Sequence, residues 1–182
     1  MSGINHYKSW SGLKKRLENR LCPAFSGRVS YFLTAYHKVH DSYRRASVRL
    51  DGRELVCFTW WYNCVQEIEQ GEEYKRTGVW EYEPKELIEK WQENCILSEW
   101  DFLEAATEYL NLPIKTALES ESYLIKMFAI MDKRVGRRTL ERIKAAGEYG
   151  AFPEWLSQFY ELRLGAEGAD GAQIDSKEVS KW

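Results

Sequence analysis

The sequence contains no apolar run long enough to cross a membrane and no secretion signal. A membrane-spanning helix needs about 20 mainly apolar residues, and no such stretch occurs in the 182 residues. The first 21 residues carry five Lys and Arg side chains but no apolar core of the kind that signal peptides contain. These absences predict a cytoplasmic protein with no membrane partner.

The sequence also has few cysteines, and their spacing fits neither a disulfide framework nor a zinc site. No C-x-x-C pair occurs, although structural zinc sites and redox motifs commonly use that spacing. Disulfides are rare in a reducing compartment. We therefore expect ordinary, mostly buried thiols, no metal and no cofactor. The four cysteines are Cys22, Cys57, Cys64 and Cys95.

Local motifs for nucleotide binding and nucleophilic catalysis are absent as well. The chain has no G-x-x-x-x-G-K-[ST], no G-x-G-x-x-G and no G-x-S-x-G segment. Carboxylates are plentiful over residues 67–108, but abundance does not place two of them at the separation that acid–base catalysis requires. We interpret them as a solvated helix face, and the sequence favours a non-enzymatic protein.

His37, His40 and Asp41 could supply two imidazoles and a carboxylate to a metal ion. A metal site would need a further ligand, and the only other histidine is His6. In a strand, histidines three residues apart would also point to opposite faces. We interpret this segment as a polar loop between strands.

Aromatic residues are abundant, with 8 Trp, 11 Tyr and 7 Phe. Disordered chains are poor in such residues, so most of the chain is expected to fold. Residues 1–163 are predicted to form a single α+β domain. Residues 164–182 are rich in Gly, Ala, Asp, Glu and Ser and are predicted to be a disordered tail.

Hydrophobic periodicity predicts one helix and then three strands in the first third of the chain. Trp and Leu recur at steps of three and four in the first segment, while β-branched and aromatic residues fill the next three. The pair Asp51-Gly52 predicts a hairpin turn, because both central residues of a type I′ turn need positive φ. The elements are a helix over Ser9–Leu21 and strands over Arg28–Tyr36, Ala46–Leu50 and Glu54–Tyr62.

The remainder of the chain has helical periodicity. Ser98 and Asp101 have the spacing of a capping box, and Trp100 is expected to face inward. Ser122 is expected to cap a strongly apolar helix that breaks or ends at Gly136. Further helices are predicted after Pro84, from Pro113 to Ser120, over Arg137–Ala146 and over Pro153–Leu164.

These elements predict an α+β fold with an N-terminal helix, a small antiparallel sheet of three or more strands and a helical C-terminal half packed on one sheet face. The run Trp60-Trp61-Tyr62 lies on the third predicted strand. Alternation would send its two tryptophans to opposite faces. Core packing is the favoured interpretation, and an aromatic platform for bases or a peptide is the alternative.

Charge is segregated along the chain, although the net charge is only −2. Residues 1–56 carry a net charge of +7, residues 57–122 of −10, and residues 123–163 of +3. Two interpretations stay open. Basic and acidic elements could fold against one another, or a face of one sign could persist and steer a partner.

The most concentrated basic segment surrounds a single glycine, in the sequence MDKRVGRRTL of residues 131–140. A glycine flanked by guanidinium groups could bind a phosphate or carboxylate. The alternative is an inter-helix turn whose cations pair with the acidic middle of the chain. The candidate binding residues are Lys133, Arg134, Arg137 and Arg138, with Lys14, Lys15 and Arg20 as a second patch.

Three blocks of the sequence resemble an uncharacterised family of small bacterial proteins. They are Ser9–Val29 (SWSGLKKRLENRLCPAFSGRV), Met131–Leu140 and Phe159–Arg163 (FYELR). The resemblance implies a bacterial cytosolic protein and carries no activity over to any residue.

The functional hypothesis is a non-enzymatic interaction protein that recognises another macromolecule, with a protein as the expected partner, through a charged face. A nucleic-acid-binding protein acting through the Arg-rich segment 133–144 is one alternative. An enzyme of unrecognised type is the other.

Overall fold

The computed structural model describes residues 9–36, 43–81 and 84–169. The predictions about His6, residues 37–41 and residues 170–182 lie outside the described residues. None of the helices in the described ranges combines the length and apolar character needed to cross a membrane.

The described elements confirm the α+β fold, with an N-terminal helix, a three-stranded antiparallel sheet and a mostly helical remainder. A short 3-10 helix over Glu148–Ala151 precedes the last α-helix. In chain order, the elements are α1 (Trp10–Glu18), β1 (Val29–Tyr36), β2 (Tyr43–Leu50), β3 (Arg53–Thr59), α2 (Trp60–Thr77), α3 (Lys85–Glu93), α4 (Glu99–Asn111), α5 (Ile114–Glu119), α6 (Tyr123–Met131), α7 (Arg137–Ala145) and α8 (Glu154–Ala169).

The strands form one sheet in the order β1-β2-β3. Tyr31 lies opposite Val48, which in turn lies opposite Val56. The turn between β2 and β3 is the predicted hairpin, with φ of 50° at Asp51 and 81° at Gly52. Both angles are positive, as a type I′ turn requires.

One face of the sheet is buried against α1, α4 and α6. Aromatic rings connect these layers: the Phe58 and Phe102 ring centroids are 5.2 Å apart, and those of Tyr109 and Phe128 are 5.3 Å apart. Many of the abundant rings therefore form a packed core. The buried strand residues on this face are Val29, Tyr31, Ala46, Val48, Val56 and Phe58.

The prediction that Trp60, Trp61 and Tyr62 lie on a strand is wrong. β3 ends at Thr59, and Trp60 begins α2. The Glu, Gln and Lys residues that follow favour a helix, and they override the strand propensity of the three aromatic residues. Trp61 is 65% exposed on the surface of this helix.

The prediction that Trp100 faces inward is also wrong, because 55% of this residue is exposed. The buried face of α4 is centred on Phe102, Ala106 and Tyr109. Trp100 lies two residues before Phe102, and at about 100° per residue this spacing directs it away from the buried face.

Two predicted helix starts are confirmed in atomic detail. Ser98 and Asp101 form the complete capping box of α4, and the Ser122 hydroxyl accepts a hydrogen bond from the Ile125 N–H. The end of α6 differs from the prediction. The helix stops at Met131, and Gly136 is instead the N-cap residue of α7.

The remaining boundaries are close to those predicted. α1 ends at Glu18 rather than Leu21, and α5 and α7 lie where their patterns placed them. α8 continues past Leu164 to Ala169, into the beginning of the segment predicted to be disordered. Pro84 precedes α3 as its N-cap residue.

Candidate functional site

The Arg-rich segment forms the turn between α6 and α7, and it is built around the buried carboxylate of Asp132. This carboxylate accepts hydrogen bonds from the Tyr109 hydroxyl and from Nε and Nη2 of Arg134. The Arg134 backbone N–H donates to the same group at 2.7 Å. The turn therefore fixes Arg134 in place, and this local hydrogen bonding ends α6 well before Gly136.

The pKa values of this cluster follow from burial and hydrogen bonding. Burial alone would raise the pKa of Asp132, but the bonds from Arg134 and Tyr109 outweigh it and lower that pKa overall. Burial, together with the bond to Asp132, raises the pKa of Tyr109. The bond to Asp132 raises the pKa of Arg134. The ion pair stays charged and the phenol stays neutral near pH 7.

Backbone hydrogen bonds connect this turn to the second basic patch. The Lys133 N–H donates to the Arg20 carbonyl at 2.7 Å, and the Cys22 N–H donates to the Met131 carbonyl at 2.9 Å. The two segments form a short antiparallel bridge. Two basic segments that are far apart in sequence therefore lie side by side. The observed pairing is limited to residues 20–22 and 131–133. We use the name joined basic surface for the candidate cations on and beside these two segments: Lys14, Lys15, Arg20, Lys133, Arg134, Arg137 and Arg138.

The cations of the joined basic surface differ in their contacts. Arg137 pairs with Glu141 at 2.8 Å, one helical turn away. Lys14 lies 3.6 Å from Glu18, and Arg20 is half-buried. Three cations are fully on the surface and show no ion pair with another described residue: Lys15, Lys133 and Arg138.

The ion pairs between described residues stay within single charge segments. Each pair joins two residues of 1–56, two of 57–122 or two of 123–163. Within the described ranges, Arg134 and Arg137 of the Arg-rich turn therefore pair with carboxylates of their own segment, Asp132 and Glu141. A basic side chain approaches that acidic middle where Arg44 lies over the Trp100 ring, 5.7 Å from its centroid.

Glu99 departs from the prediction that the carboxylates of residues 67–108 form a solvated face. It is 1% exposed, and its Oε2 atom has no hydrogen-bond partner among the described residues. Burial raises its pKa, and the nearby charge of Arg44 opposes that shift only in part. No sequence signal distinguishes Glu99 from the exposed glutamates around it.

A second basic feature lies on the sheet face opposite the core. Phe32 is 36% exposed, with Lys14 Nζ 4.9 Å and the Arg49 guanidinium carbon 4.3 Å from its ring centroid. Both distances fit cation–π contacts. Lys14 therefore brings this ring next to the joined basic surface.

The described residues hold no cluster of three or more His, Cys, Asp and Glu side chains suited to a metal ion. No disulfide joins the four cysteines, all of which are described. Burial raises the pKa of Cys95 to about 12, so its thiol stays protonated and unreactive at neutral pH.

A helix-covered antiparallel sheet and a mostly helical remainder define an α+β protein. The chain belongs to the SF0329 protein family, whose model matches residues 9–164. Membership of this uncharacterised family assigns no role to any residue. Searches of curated proteins and of solved structures found no match.

Proposed function

We propose that the protein is a non-enzymatic interaction protein that binds an acidic surface of another protein through the joined basic surface. The observation that carries this proposal is the backbone pairing of residues 20–22 with residues 131–133. This pairing brings together two segments that are both rich in cations. The net charge of −2 does not reveal them, because the acidic middle of the chain cancels their positive charge.

Electrostatics supports binding at this surface. Lys15, Lys133 and Arg138 are exposed, so their charges can reach a partner at little cost in desolvation. Clustered charges of one sign accelerate encounter with an oppositely charged surface, and added salt weakens that effect. Arg134 is fixed by the buried Asp132 and gives the surface a rigid element.

The test is a pull-down from native bacterial extract with the full-length protein and a charge-reversed variant, Lys133→Glu with Arg138→Glu. We expect a stoichiometric protein partner that the wild type releases at high salt and that the variant does not retain. The matched control, Lys75→Glu with Lys85→Glu, makes the same change in net charge on the acidic side of the chain. It should retain the partner.

Two outcomes would contradict the proposal. The wild type could recover no stoichiometric partner at low salt. Alternatively, the basic-surface variant and the control could lose the partner equally, in which case net charge and not the joined basic surface would govern binding.

A second candidate function, nucleic-acid binding, is favoured by the Phe32 cluster. Single-stranded nucleic acids bind surfaces that combine cations with an exposed aromatic ring, and both Lys14 and Arg49 contact the partly exposed Phe32 ring. The ring and the joined basic surface share Lys14, so one strand could contact both.

Salt-dependent binding to labelled single-stranded DNA and RNA tests this candidate. Arg137→Ala with Arg138→Ala should weaken binding and reduce the salt dependence by about two phosphate contacts. Phe32→Ala should weaken binding by about 1–3 kcal/mol. Absence of wild-type binding at low salt, or no effect of either variant, would reject nucleic-acid binding.

We also propose that the protein acts in the bacterial cytosol. The absence of a disulfide among four cysteines fits a reducing compartment. Fractionation of cells that express the protein at its native level, followed by immunodetection, tests this location. Recovery in the membrane or secreted fraction would contradict it.

A further inference from the structure

A furrow runs between α5 and α7, next to the Arg-rich turn. Its larger part is a cavity of about 510 Å³ whose lining is partly aliphatic and partly charged. A second cavity of about 340 Å³ shares Leu118, Glu119 and Glu148 with it and continues toward Phe152. The two cavities form one continuous groove, which we call the α5–α7 furrow. The aliphatic residues of the larger cavity are Ile114, Leu118, Val135, Ile143 and Ala146. Val135 and Ile143 are buried, so a ligand would mainly contact Ile114, Leu118 and Ala146.

The charges that line the larger cavity are mixed, with three cations and two carboxylates. Glu119 and Glu148 lie where it meets the second cavity, because both cavities share them. Lys115, Arg134 and Arg142 line the larger cavity alone. Lys115 lies 3.9 Å from Glu119, whereas Arg142 is exposed. Arg134 belongs to the joined basic surface, so the furrow meets that surface at this residue.

The furrow walls are already fixed in the structure. Arg134 is bonded to the buried Asp132, and the Val135 carbonyl accepts a hydrogen bond from Nη2 of the buried Arg163 at 2.7 Å. Ile143 is 6% exposed and anchors α7 to the core. Binding of a partner would therefore carry only a small entropic cost for ordering this site.

We propose that the α5–α7 furrow binds an amphipathic helix of a protein partner. Its apolar side chains would fill the aliphatic part of the lining, and its carboxylates would reach Lys115, Arg134 and Arg142. Helix-in-groove recognition uses apolar residues at steps of three, four and seven, which suits an elongated aliphatic groove. Charge complementarity selects an acidic segment. The inference rests on the proposed function, because it names the kind of partner segment that the basic surface would recognise.

The probe is a synthetic helical peptide of about 18 residues, or about 27 Å as a helix, with leucines along one face and glutamates clustered at one end. A matched peptide carries lysines in place of the glutamates, and a scrambled peptide lacks the apolar stripe. Fluorescence anisotropy with the full-length protein measures affinity. Methyl NMR shows whether the peptide contacts Ile114, Leu118 and Ile143. We expect the glutamate peptide to bind there, with the other two weaker by about tenfold or more.

Variants locate the binding. Leu118→Ser should lower the affinity for the glutamate peptide by about tenfold or more. Lys115→Glu, on the exposed rim, should also lower this affinity and should not disturb the core. Ile68→Ser removes a comparable apolar side chain from α2, far along the sequence from the furrow, and should leave the affinity unchanged. Thermal unfolding confirms that each variant is folded, and Lys115→Glu carries the test if Leu118→Ser does not fold.

Three results would overturn the inference: equal binding of the glutamate and lysine peptides, unchanged affinity of both furrow variants, or methyl shifts confined to other regions. Concentration-dependent self-association that Leu118→Ser abolishes would also overturn it, since the occupant would then be a second copy of the chain. The pull-down separates this failure from that of the proposed function. If Lys133→Glu with Arg138→Glu releases the extract partner but the furrow variants retain it, the furrow inference alone fails.

Discussion

Helices α6 and α2 are opposites in how they contribute to the fold. α6 is nine residues long and is buried along most of its length, whereas the eighteen residues of α2 include none that is buried. Trp61 and Ile68, two turns apart on α2, are 65% and 61% exposed. The buried residues of α6 are Leu124, Ile125, Met127, Phe128, Ala129, Ile130 and Met131.

α2 is attached through polar side chains and not through a buried stripe. The Gln66 amide donates to the Ile96 carbonyl at 2.8 Å. The Glu69 carboxylate accepts from Lys90 at 2.8 Å and from the Trp91 indole N–H at 2.7 Å. Since such bonds contribute about 1 kcal/mol each and a buried aromatic residue contributes more, α6 should dominate global stability. α2 should be able to open locally.

Helix α4 connects the two regions. Near its start, Asp101 accepts a hydrogen bond from Gln66 of α2 at 3.2 Å. Near its end, Tyr109 donates to Asp132, directly after α6. The buried carboxylates at the two ends have opposite pKa shifts, raised for Glu99 and lowered for Asp132. Four predictions test whether the two regions differ as the structure indicates.

The largest effect is expected in α6. Phe128→Ala should lower the free energy of unfolding by about 4 kcal/mol, because it leaves a cavity among the rings of the core. Urea unfolding followed by circular dichroism measures this change. Ile68→Ala in α2 is the matched control and should stay within about 0.5 kcal/mol of the wild type. Similar losses for both variants would contradict the comparison.

The second prediction concerns Asp132 at the end of α6. Asp132→Asn should lower the free energy of unfolding at pH 7 by about 2 kcal/mol, because it weakens two buried hydrogen-bonded contacts. The folded pKa of Asp132 is lowered. Its stabilising contribution is therefore present above the unfolded pKa and disappears as pH falls through the folded pKa. The difference between wild type and variant should shrink at acid pH. A constant difference would show that charge is not its source.

The third prediction concerns Glu99 at the start of α4, where the pKa shift, and therefore the pH dependence of stability, has the opposite direction. The folded pKa of Glu99 is raised by burial, so its contribution to stability is lost as pH rises through that pKa. Glu99→Gln should therefore stabilise the protein at pH 8, by about 1 kcal/mol. The gain should vanish below the unfolded pKa. Unfolding curves over this pH range measure it, and destabilisation at pH 8 would contradict the assignment.

The smallest global effect is expected from the attachment of α2. Glu69→Ala removes the acceptor for Lys90 and Trp91, so α2 should exchange its amide hydrogens about fivefold faster, which corresponds to about 1 kcal/mol of local opening. Global stability should change by no more than about 0.5 kcal/mol. Hydrogen exchange with mass spectrometry distinguishes local opening of α2 from global unfolding. Equal acceleration in α6 would mean that α2 belongs to the same cooperative unit.

Much of the fold could be predicted because its signals are local. The Asp51-Gly52 turn, the Ser98 capping box and the Ser122 cap each depend on residues within three positions, and all three are confirmed. The first residues of α2 could not be assigned correctly. The strand propensity of Trp60 and Trp61 competes there with the helix propensity of the residues that follow.

The candidate site was less predictable than the fold. The sequence singled out the basic residues as candidates. It did not show that Asp132 is buried or that Arg134 forms an ion pair with it. Leu118 lies on a six-residue helix, which is too short for its periodicity to reveal an exposed groove. Both features depend on contacts between residues that are distant along the chain.

The sequence by itself determined the α+β class, the hairpin, the main helix caps and the apolar character of α6, because hydrophobic period and hydrogen bonding within a few residues suffice for each. Tertiary structure alone decided that Glu99 is buried, that Trp61 and Trp100 are exposed, and that residues 20–22 pair with residues 131–133. Such outcomes depend on which elements pack together. No local pattern encodes that pairing, so the joined basic surface appears only once the chain is folded.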